Sequence, residues 1–531
     1  MLVSLGLVAS CAPVDRDFPN GQGGSGGTGC KPFTTEPCFT GPAGTENVGL
    51  CRQGTHECLA DGSGYGACEG EVVPAIEVCT TIEDEGCDGP NPEQCPSFGH
   101  VWSKNFGGNG EDVITSIAVD HATGDIIGTG YFPDVIDFGG GPMASTGSTD
   151  ILLFRLSAAG EHIWSKRFGD SSSQTAFDVA LDSDGGIYIV GEMYGSVDFG
   201  DGKPVTSSGG YDAFVAKFDA NGNFVWSRVY GDPSSQRGRS VAVTPTNQVI
   251  VAGNFSGLIT LTNMEIASPN STDMFVIKLD ASGFDVSARR YGGPKSDELM
   301  DIAVDSQGGI LVTGAFEDVA DFGNLGAYQS AGDGDAFVLK LASDLNEEYV
   351  RVWGDAEFQR GGAVAVASND DVFVMGDLVG SMTLGDGTTL TAASGHGVFI
   401  TSLYANGAHK WGTSTGNAMS FWARQMLASD PVSQAIVAVG YYDGTLDFGG
   451  GPLEANVVDG FVTKIGWDGS HISSTHLGGS KLDAFFGVAV SPTGDVFVSG
   501  GHQGPVDFGG GVLDTPAGPD DIQALLMRLL P

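Results

Sequence analysis

Positive charge is scarce in this chain. Its 531 residues carry 24 Lys and Arg against 66 Asp and Glu, a formal net charge of −42. That excess repels phosphate backbones and anionic lipid surfaces, so nucleic acid is excluded as a partner and a covalent lipid is the only expected route to a membrane. The charge has a simple use in keeping a large Gly-rich chain soluble. Cysteine is absent after Cys95, and no run of 18 apolar residues exists to form a spanning helix. No stretch shows helical periodicity. The nine histidines form neither His-Glu-x-x-His nor His-x-His, and His471 and His476 are spaced for neither a helical nor a same-face strand pair.

What is present is a repeat. A glycine closes an aromatic strand at Gly107, Gly169, Gly231, Gly292, Gly354, Gly416 and Gly478, with successive steps of 62, 62, 61, 62, 62 and 62. A second marker, alanine in all copies but one, keeps the same step at Ala118, Ala180, Ala242, Ala303, Ala365, Leu427 and Ala489. A fixed period of this length marks an array of equivalent modules. In the second copy, Phe177–Leu181 and Gly186–Val190 read as a hairpin across an Asp-Ser-Asp-Gly turn. A Gly-rich excursion follows, then strands at Ala213–Phe218 and Phe224–Tyr230. Four antiparallel strands per unit make a propeller blade, and seven units make a seven-bladed ring.

The phase of the array predicts how the ring closes. It begins with a lone fourth strand, Val101–Phe106, and ends on a third strand, Ala524–Leu530, so the first segment completes the last blade and removes two open edges. The recurring alanine fits an innermost strand, where blades converge on the axis. Leu427 breaks that rule, which predicts local distortion in the sixth blade. The fold class expected is all-β: a seven-bladed propeller over 98–531, preceded by a signal segment (1–11), a tether (12–29) and a small disulfide-rich module (30–97).

Certain motifs resemble a known family. Asp212-Ala-Phe-Val-Ala-Lys-Phe-Asp, Asp273-Met-Phe-Val-Ile-Lys-Leu-Asp and Asp335-Ala-Phe-Val-Leu-Lys-Leu, with Trp-Ser-x-x-Phe-Gly, are similar to the bacterial β-propeller repeats (SBBP type) abundant in myxobacterial secreted proteins. The resemblance spans about four-fifths of the chain. It implies the fold and carries no catalytic residues.

The N-terminus reads as an export signal. Met1–Ser10 is apolar and ends Val8-Ala9-Ser10-Cys11, which resembles the lipobox cleaved before a lipidated cysteine. Ala12 rather than Asp follows, which implies delivery to an outer membrane or the exterior. No Lys or Arg precedes Cys11, so the natural start is expected upstream. Asn20–Gly29 is a Gly-rich tether of roughly 17–19 Å as a random coil. An ordinary terminus with a chance cysteine is the alternative.

Eight further cysteines, Cys30, Cys38, Cys51, Cys58, Cys68, Cys79, Cys87 and Cys95, crowd a segment too small and too rich in Gly and Pro to hold itself by apolar burial. Four disulfides are expected, with 105 connectivities open. No Cys-x-x-Cys pair supports zinc. Cys38-Phe-Thr-Gly-Pro-Ala-Gly-Thr onward is similar to a cysteine-rich module of myxobacterial surface proteins, whose acidic run implies a metal site. Here Thr80-Thr81 and Glu85-Gly86 depart from that motif. Glu83, Asp84, Glu85 and Asp88 offer hard oxygens for Ca²⁺, against the alternative of a solvated loop pinned by disulfides. No other cofactor is expected.

Within the propeller, Asp182-Ser-Asp-Gly and Asp305-Ser-Gln-Gly echo calcium loops but read more simply as hairpin turns. Gly-x-Ser-x-Gly and Gly-x-Gly-x-x-Gly matches in the tether lack strand-turn-helix context. Asp137, Asp198, Asp321, Asp447 and Asp507 in the excursions, and Arg155, Lys217, Lys278, Lys340, Lys464 and Arg528 on the third strand, recur with the repeat. The fifth copy replaces them and the strand-start Asp with Thr383, Gly397 and Ser402, which predicts one interacting structural set. A ring of polar or aromatic pairs opens the innermost strands. Its irregular members Arg237, Arg360 and Trp422 are candidates for an anion contact and an aromatic platform. The expected function is a monomeric, exported, non-catalytic scaffold binding a protein or polysaccharide at the cell surface. The alternative is a carbohydrate- or polymer-active enzyme.

Overall fold

The computed structural model describes residues 30–41, 46–48, 51–73, 98–416, 426–515, 518 and 520–530. The chain divides into two compact units, residues 1–96 and 97–531. In the first, Thr35–Cys38 pairs antiparallel with Gly54–Glu57. Disulfides join Cys30 to Cys58 and Cys38 to Cys68, and Cys51 is disulfide-bonded too. Cys79, Cys87 and Cys95 lie outside the described residues.

The second unit is a ring of seven four-stranded antiparallel sheets. Blade two shows the plan, from axis to rim: Gln174–Leu181, Ile187–Met193, Asp212–Phe218 and Phe224–Tyr230. The Gly-rich excursion forms a ribbon of its own, Ser196–Val197 against Val205–Thr206. In blades three and five it fuses into longer second and third strands, Val249–Thr260 with Glu265–Leu279 and Val372–Thr383 with Thr389–Leu403. The closing sheet runs Asp483–Val490, Val496–Gln503, Ile522–Leu529 and then His100–Phe106, so the first strand of the array is the rim strand of the last blade.

Blades stack face to face, so their middle strands bury both faces and read as continuous apolar runs rather than alternating ones. Ile151, Leu152, Leu153 and Phe154 are all fully buried. One interblade cluster joins Ile127, Ile151 and Leu153 of blade one to Ile187, Phe214 and Phe218 of blade two. Truncating such a phenylalanine to alanine costs about 3–5 kcal/mol.

The marker glycines have a steric origin. A Cβ at Gly169, Gly231, Gly354 or Gly478 would collide with the carboxylate of Asp150, Asp212, Asp335 or Asp459, which opens the third strand of the same blade. The small innermost residues also have one. Ala118, Ala303 and Ala365 line an axial cavity of about 330 Å³, into which the larger Leu427 of blade six also packs. The innermost strand of blade six, Leu427–Asp430, is four residues long where the others have seven or eight.

Candidate functional site

Outside blade six, the innermost strands open on a polar residue that is fully buried: Asp112, Gln174, Gln236, Asp297, Gln359 and Asp483. Two solutions occur around the ring. Gln174 donates Nε2 to Asp170 Oδ1 at 2.8 Å and to Tyr194 O at 2.6 Å, and its Oε1 accepts from Asp170 N at 3.1 Å. Gln236 with Asp232, and Gln359 with Asp355, repeat this arrangement. Where the opening residue is aspartate, the position four residues before it is glycine. Asp112, Asp297 and Asp483 accept from the N–H of Gly108, Gly293 and Gly479 at 2.9, 2.7 and 2.7 Å. Burial pushes each of these carboxyls up to about 7. A glutamine would have no carboxylate to receive its N–H₂ at a glycine copy, and a second carboxylate at an aspartate copy would repel the first. The two positions therefore change together.

The next residue is an arginine in blades three and five. Arg237 Nε lies 2.8 Å from Glu192 Oε2, with its guanidinium 5.9 Å from the Tyr211 ring. Arg360 is 4% exposed, bonded through Nε and an Nη to Asp377 Oδ2 at 3.1 and 2.6 Å, and 3.8 Å from Glu298. Trp422 lies outside the described residues. Arg239, which the repeat pattern alone does not single out, joins this group. It occupies the bulge between Gly238 and Ser240. There its guanidinium sits 5.4 Å from the Phe177 ring, and its Nε is buried without a hydrogen-bond partner among the described residues. Burial lowers it to about 10, against the pull of Glu192 and Glu298. Groups from blades two to five thus converge on one mouth, with three guanidiniums set among three carboxylates.

The recurring charges are not one set, which corrects the expectation from the fifth copy. The excursion carboxylates hold their own loops: Asp137, Asp198, Asp447 and Asp507 each accept from two backbone N–H groups two and four residues on. The third-strand cations reach the opposite end of the blade, where they meet the turn between the two inner strands. Arg155 pairs with Asp120 and Asp125, Lys217 with Asp182, Lys340 with Asp305, Lys464 with Asp430 and Arg528 with Asp495. Lys278 instead donates to Ser343 O of the next blade. In blade five, Ser402 leaves this job to Lys410 on the rim strand, 2.6 Å from Asp371. Asp182 also accepts from Asp184 N and Gly186 N at 3.1 and 2.6 Å, as a turn aspartate does.

The remaining candidates are placed as follows. His471 Nε2 is 3.0 Å from Ser474 Oγ, and His476 Nε2 is 2.7 Å from Asp459 Oδ2. Cys11 and the acidic set Glu83, Asp84, Glu85 and Asp88 lie outside the described residues. Among the described residues, no three His, Cys, Asp or Glu side chains converge as a metal site.

The SBBP β-propeller repeat family matches residues 163–192. These run from the rim strand of blade one through the second strand of blade two. The regulatory protein FlaEY of Caulobacter vibrioides is 28% identical over 186 residues, covering 33% of this chain and 19% of that protein, so the chain spans about a fifth of the relative's length. Among solved structures, the WD40 domain of Neurospora crassa Pan2 aligns at 10% identity over 81% of this chain and 97% of that one, with a TM-score of 0.38. A europium-containing methanol dehydrogenase aligns at 10% identity over 83% and 94%, with a TM-score of 0.37.

Proposed function

We propose that this chain is an exported, lipid-anchored propeller that acts as a non-catalytic binding scaffold, holding a protein or polysaccharide partner at the channel mouth framed by Arg237, Arg239 and Arg360. The observation that carries this reading is the convergence there of three guanidiniums, from a chain with only 24 basic residues, beside the Phe177 and Tyr211 rings. Guanidinium and aromatic faces are typical anchors of recognition surfaces. The Val8–Cys11 segment and the Gly-rich tether support attachment through lipidated Cys11.

Polymer-active chemistry is the competing reading. It calls for two carboxylates open to a common cleft, one of them with a raised pKa. The aspartates pushed upward by burial, namely Asp112, Asp178, Asp212, Asp297, Asp301, Asp335 and Asp483, are at most 3% exposed and are engaged as acceptors for backbone N–H groups. Their placement therefore favours a structural use.

One experiment addresses both parts. The chain expressed with its leader in a Gram-negative host is expected to take up labelled palmitate, and Cys11→Ala to abolish the label. The purified protein is then incubated with a panel of neutral and acidic polysaccharides, and retention and polymer length are both followed. Retention without shortening, reduced in Arg237→Glu and Arg239→Gln, is the expected result. Shortening of any polymer overturns the scaffold reading.

A further inference from the structure

Of the three guanidiniums at the channel mouth, Arg239 is the one left unpaired. Arg237 is matched to Glu192 at 2.8 Å and Arg360 to Asp377 at 2.6 Å. Among the described residues Arg239 has neither a hydrogen bond nor an ion pair, and its close neighbour is the Phe177 ring at 5.4 Å. The side chain is partly exposed. Its Nε is sealed from solvent while its Nη groups are not, so the outer end of the fork is the part open to a ligand. Burial strips water from this cation, and no side chain replaces it. A carboxylate does so well, because its two oxygens match two N–H groups of the planar fork.

The surrounding charge limits how many carboxylates the ligand carries. Glu192, Glu298 and Asp377 balance the three arginines, so the site offers one vacant ion pair and no excess of positive charge. The whole chain stands at −42. A polymer charged at every unit would gain that one pair and meet repulsion along the rest of its length, whereas a single carboxylate among neutral groups escapes it.

An exposed aromatic lies beside this group. Tyr194 is 46% exposed, and its ring centroid is 5.8 Å from that of Tyr211, which in turn lies 5.9 Å from the Arg237 guanidinium. Its backbone is fixed at the opening of the innermost strand, where Tyr194 N donates to Ser173 O at 2.9 Å and Tyr194 O accepts from Gln174 Nε2 at 2.6 Å. The residue paired with the start of the third strand is Met193 here, and the position after it carries Pro133, Ser256, Glu317, Val379, Asp443 and Gln503 in the other blades. The ring therefore answers no need of the repeat. A half-exposed tyrosine on a fixed backbone gives an apolar face and a hydroxyl at small entropic cost, as a sugar platform requires. We infer that the mouth takes a polysaccharide in which a uronate is flanked by neutral sugars, the carboxylate pairing with the Arg239 guanidinium and a neutral neighbour lying against the Tyr194 ring. The inference rests on the reading of this mouth as a binding site and names the class of its ligand.

The test titrates the full chain by calorimetry with four probes: a hexasaccharide alternating glucuronate and N-acetylglucosamine, the same hexasaccharide with its carboxyls reduced to alcohols, a galacturonate hexamer, and the peptide acetyl-Ala-Ala-Asp-Ala-Ala-amide. The alternating hexasaccharide is expected to bind about tenfold or more tighter than its reduced form. Arg239→Gln is expected to bring that ratio close to one, and Tyr194→Ala to weaken both forms alike while keeping the ratio. The ratio is read within one variant, so a loss of folded material, which lowers both forms together, does not imitate the result. Equal binding of the two forms by the wild type, a ratio preserved in Arg239→Gln, or tighter binding of the galacturonate hexamer or of the peptide overturns the inference and leaves the scaffold reading standing. Binding of none of the four probes overturns the inference, and the scaffold reading falls with it if the polysaccharide panel also goes unretained.

Discussion

Asp178 and Asp301, on the innermost strands of blades two and four, meet at a single hydroxyl. Ser240 Oγ lies 2.9 Å from Asp178 Oδ2 and 3.0 Å from Asp301 Oδ1. Ser116 Oγ extends the chain to Asp178 Oδ1 at 2.9 Å, and Val364 N reaches Asp301 Oδ2 at 2.9 Å. These contacts stitch blades one to five together around the axis. Ser240 has one hydroxyl hydrogen and so serves one carboxylate at a time. The other acid must donate, which requires it to be protonated.

Stability should therefore depend on pH in an unusual direction. Burial pushes Asp178 up to about 6 and Asp301 to about 7, and Asp112, Asp297 and Asp483 to about 7. An unfolded aspartate ionises near 3.8, so between about pH 4 and 7 the folded chain binds more protons than the unfolded one, and stability falls as pH rises. Below about pH 4 the opposite group acts. Hydrogen bonds that outweigh burial hold Asp170 and Asp232 below the ordinary range, and that contribution is lost on acidification. The melting temperature is expected to be highest near pH 4–5 and to drop toward pH 8, with Asp301→Asn flattening the alkaline side. A wild-type melting temperature that climbs steadily from pH 5 to 8 would refute this.

The sequence made the ring legible because a strict period leaves little freedom. The step gives the blade count, and the phase of the first and last strands gives the closure. Partner choice was harder to read. Asp137 and Lys217 recur with the same period and yet serve opposite ends of their blades, because a strand's two ends share one repeat number. The alternation at positions 116, 178, 240 and 301, which reads Ser, Asp, Ser, Asp, also stands in register and was a usable signal for the axial network. Arg239 required the bulge, which turns its side chain into the mouth.

The coupled Gln/Asp and Asp/Gly positions make a double-mutant cycle. Gln236→Asp alone places a second carboxylate beside Asp232 and removes the N–H₂ that bonds Asp232 Oδ1 at 2.7 Å and Ser256 O at 2.7 Å. A loss of about 2–4 kcal/mol is expected. Adding Asp232→Gly reproduces the pattern of blades one, four and seven and should recover most of it, leaving a coupling energy above about 1 kcal/mol in urea unfolding. Additive effects of the two changes would contradict the pairing.

Removing residues 98–106 should open the ring. The deletion uncovers Ile522–Leu529, whose backbone now bonds His100–Phe106, and exposes Leu526 and Ala524 beside Phe106. An unpaired apolar edge invites pairing with a second chain. Light scattering is expected to show oligomers, and a synthetic peptide of residues 98–106 should restore a monomer. A monomer of unchanged melting temperature after deletion would mean that closure contributes little.

The ion pairs of the propeller should rank by burial. Lys464 and Asp430, 2.8 Å apart, are 4% and 0% exposed; Lys410 and Asp371, 2.6 Å apart, are 20% and 7% exposed; Lys203 and Asp201, 3.9 Å apart, are 86% and 34% exposed. Removing one partner of a sealed pair strands the other charge in low dielectric, at a cost of about 3–5 kcal/mol, whereas exposed pairs are worth about 0–1 kcal/mol. Urea midpoints for Lys464→Met, Lys410→Met and Lys203→Met are expected to fall in that order, Lys464→Met lowest and Lys203→Met near wild type. Blade five adds a check on how its cation moved. Ser402→Lys combined with Lys410→Met returns the charge to the third strand, and partial recovery of the midpoint is expected because a cation there meets the turn in five other blades. A double variant no more stable than Lys410→Met would show that the Asp371 carboxylate has been reoriented toward the rim and no longer accepts a partner from the third strand.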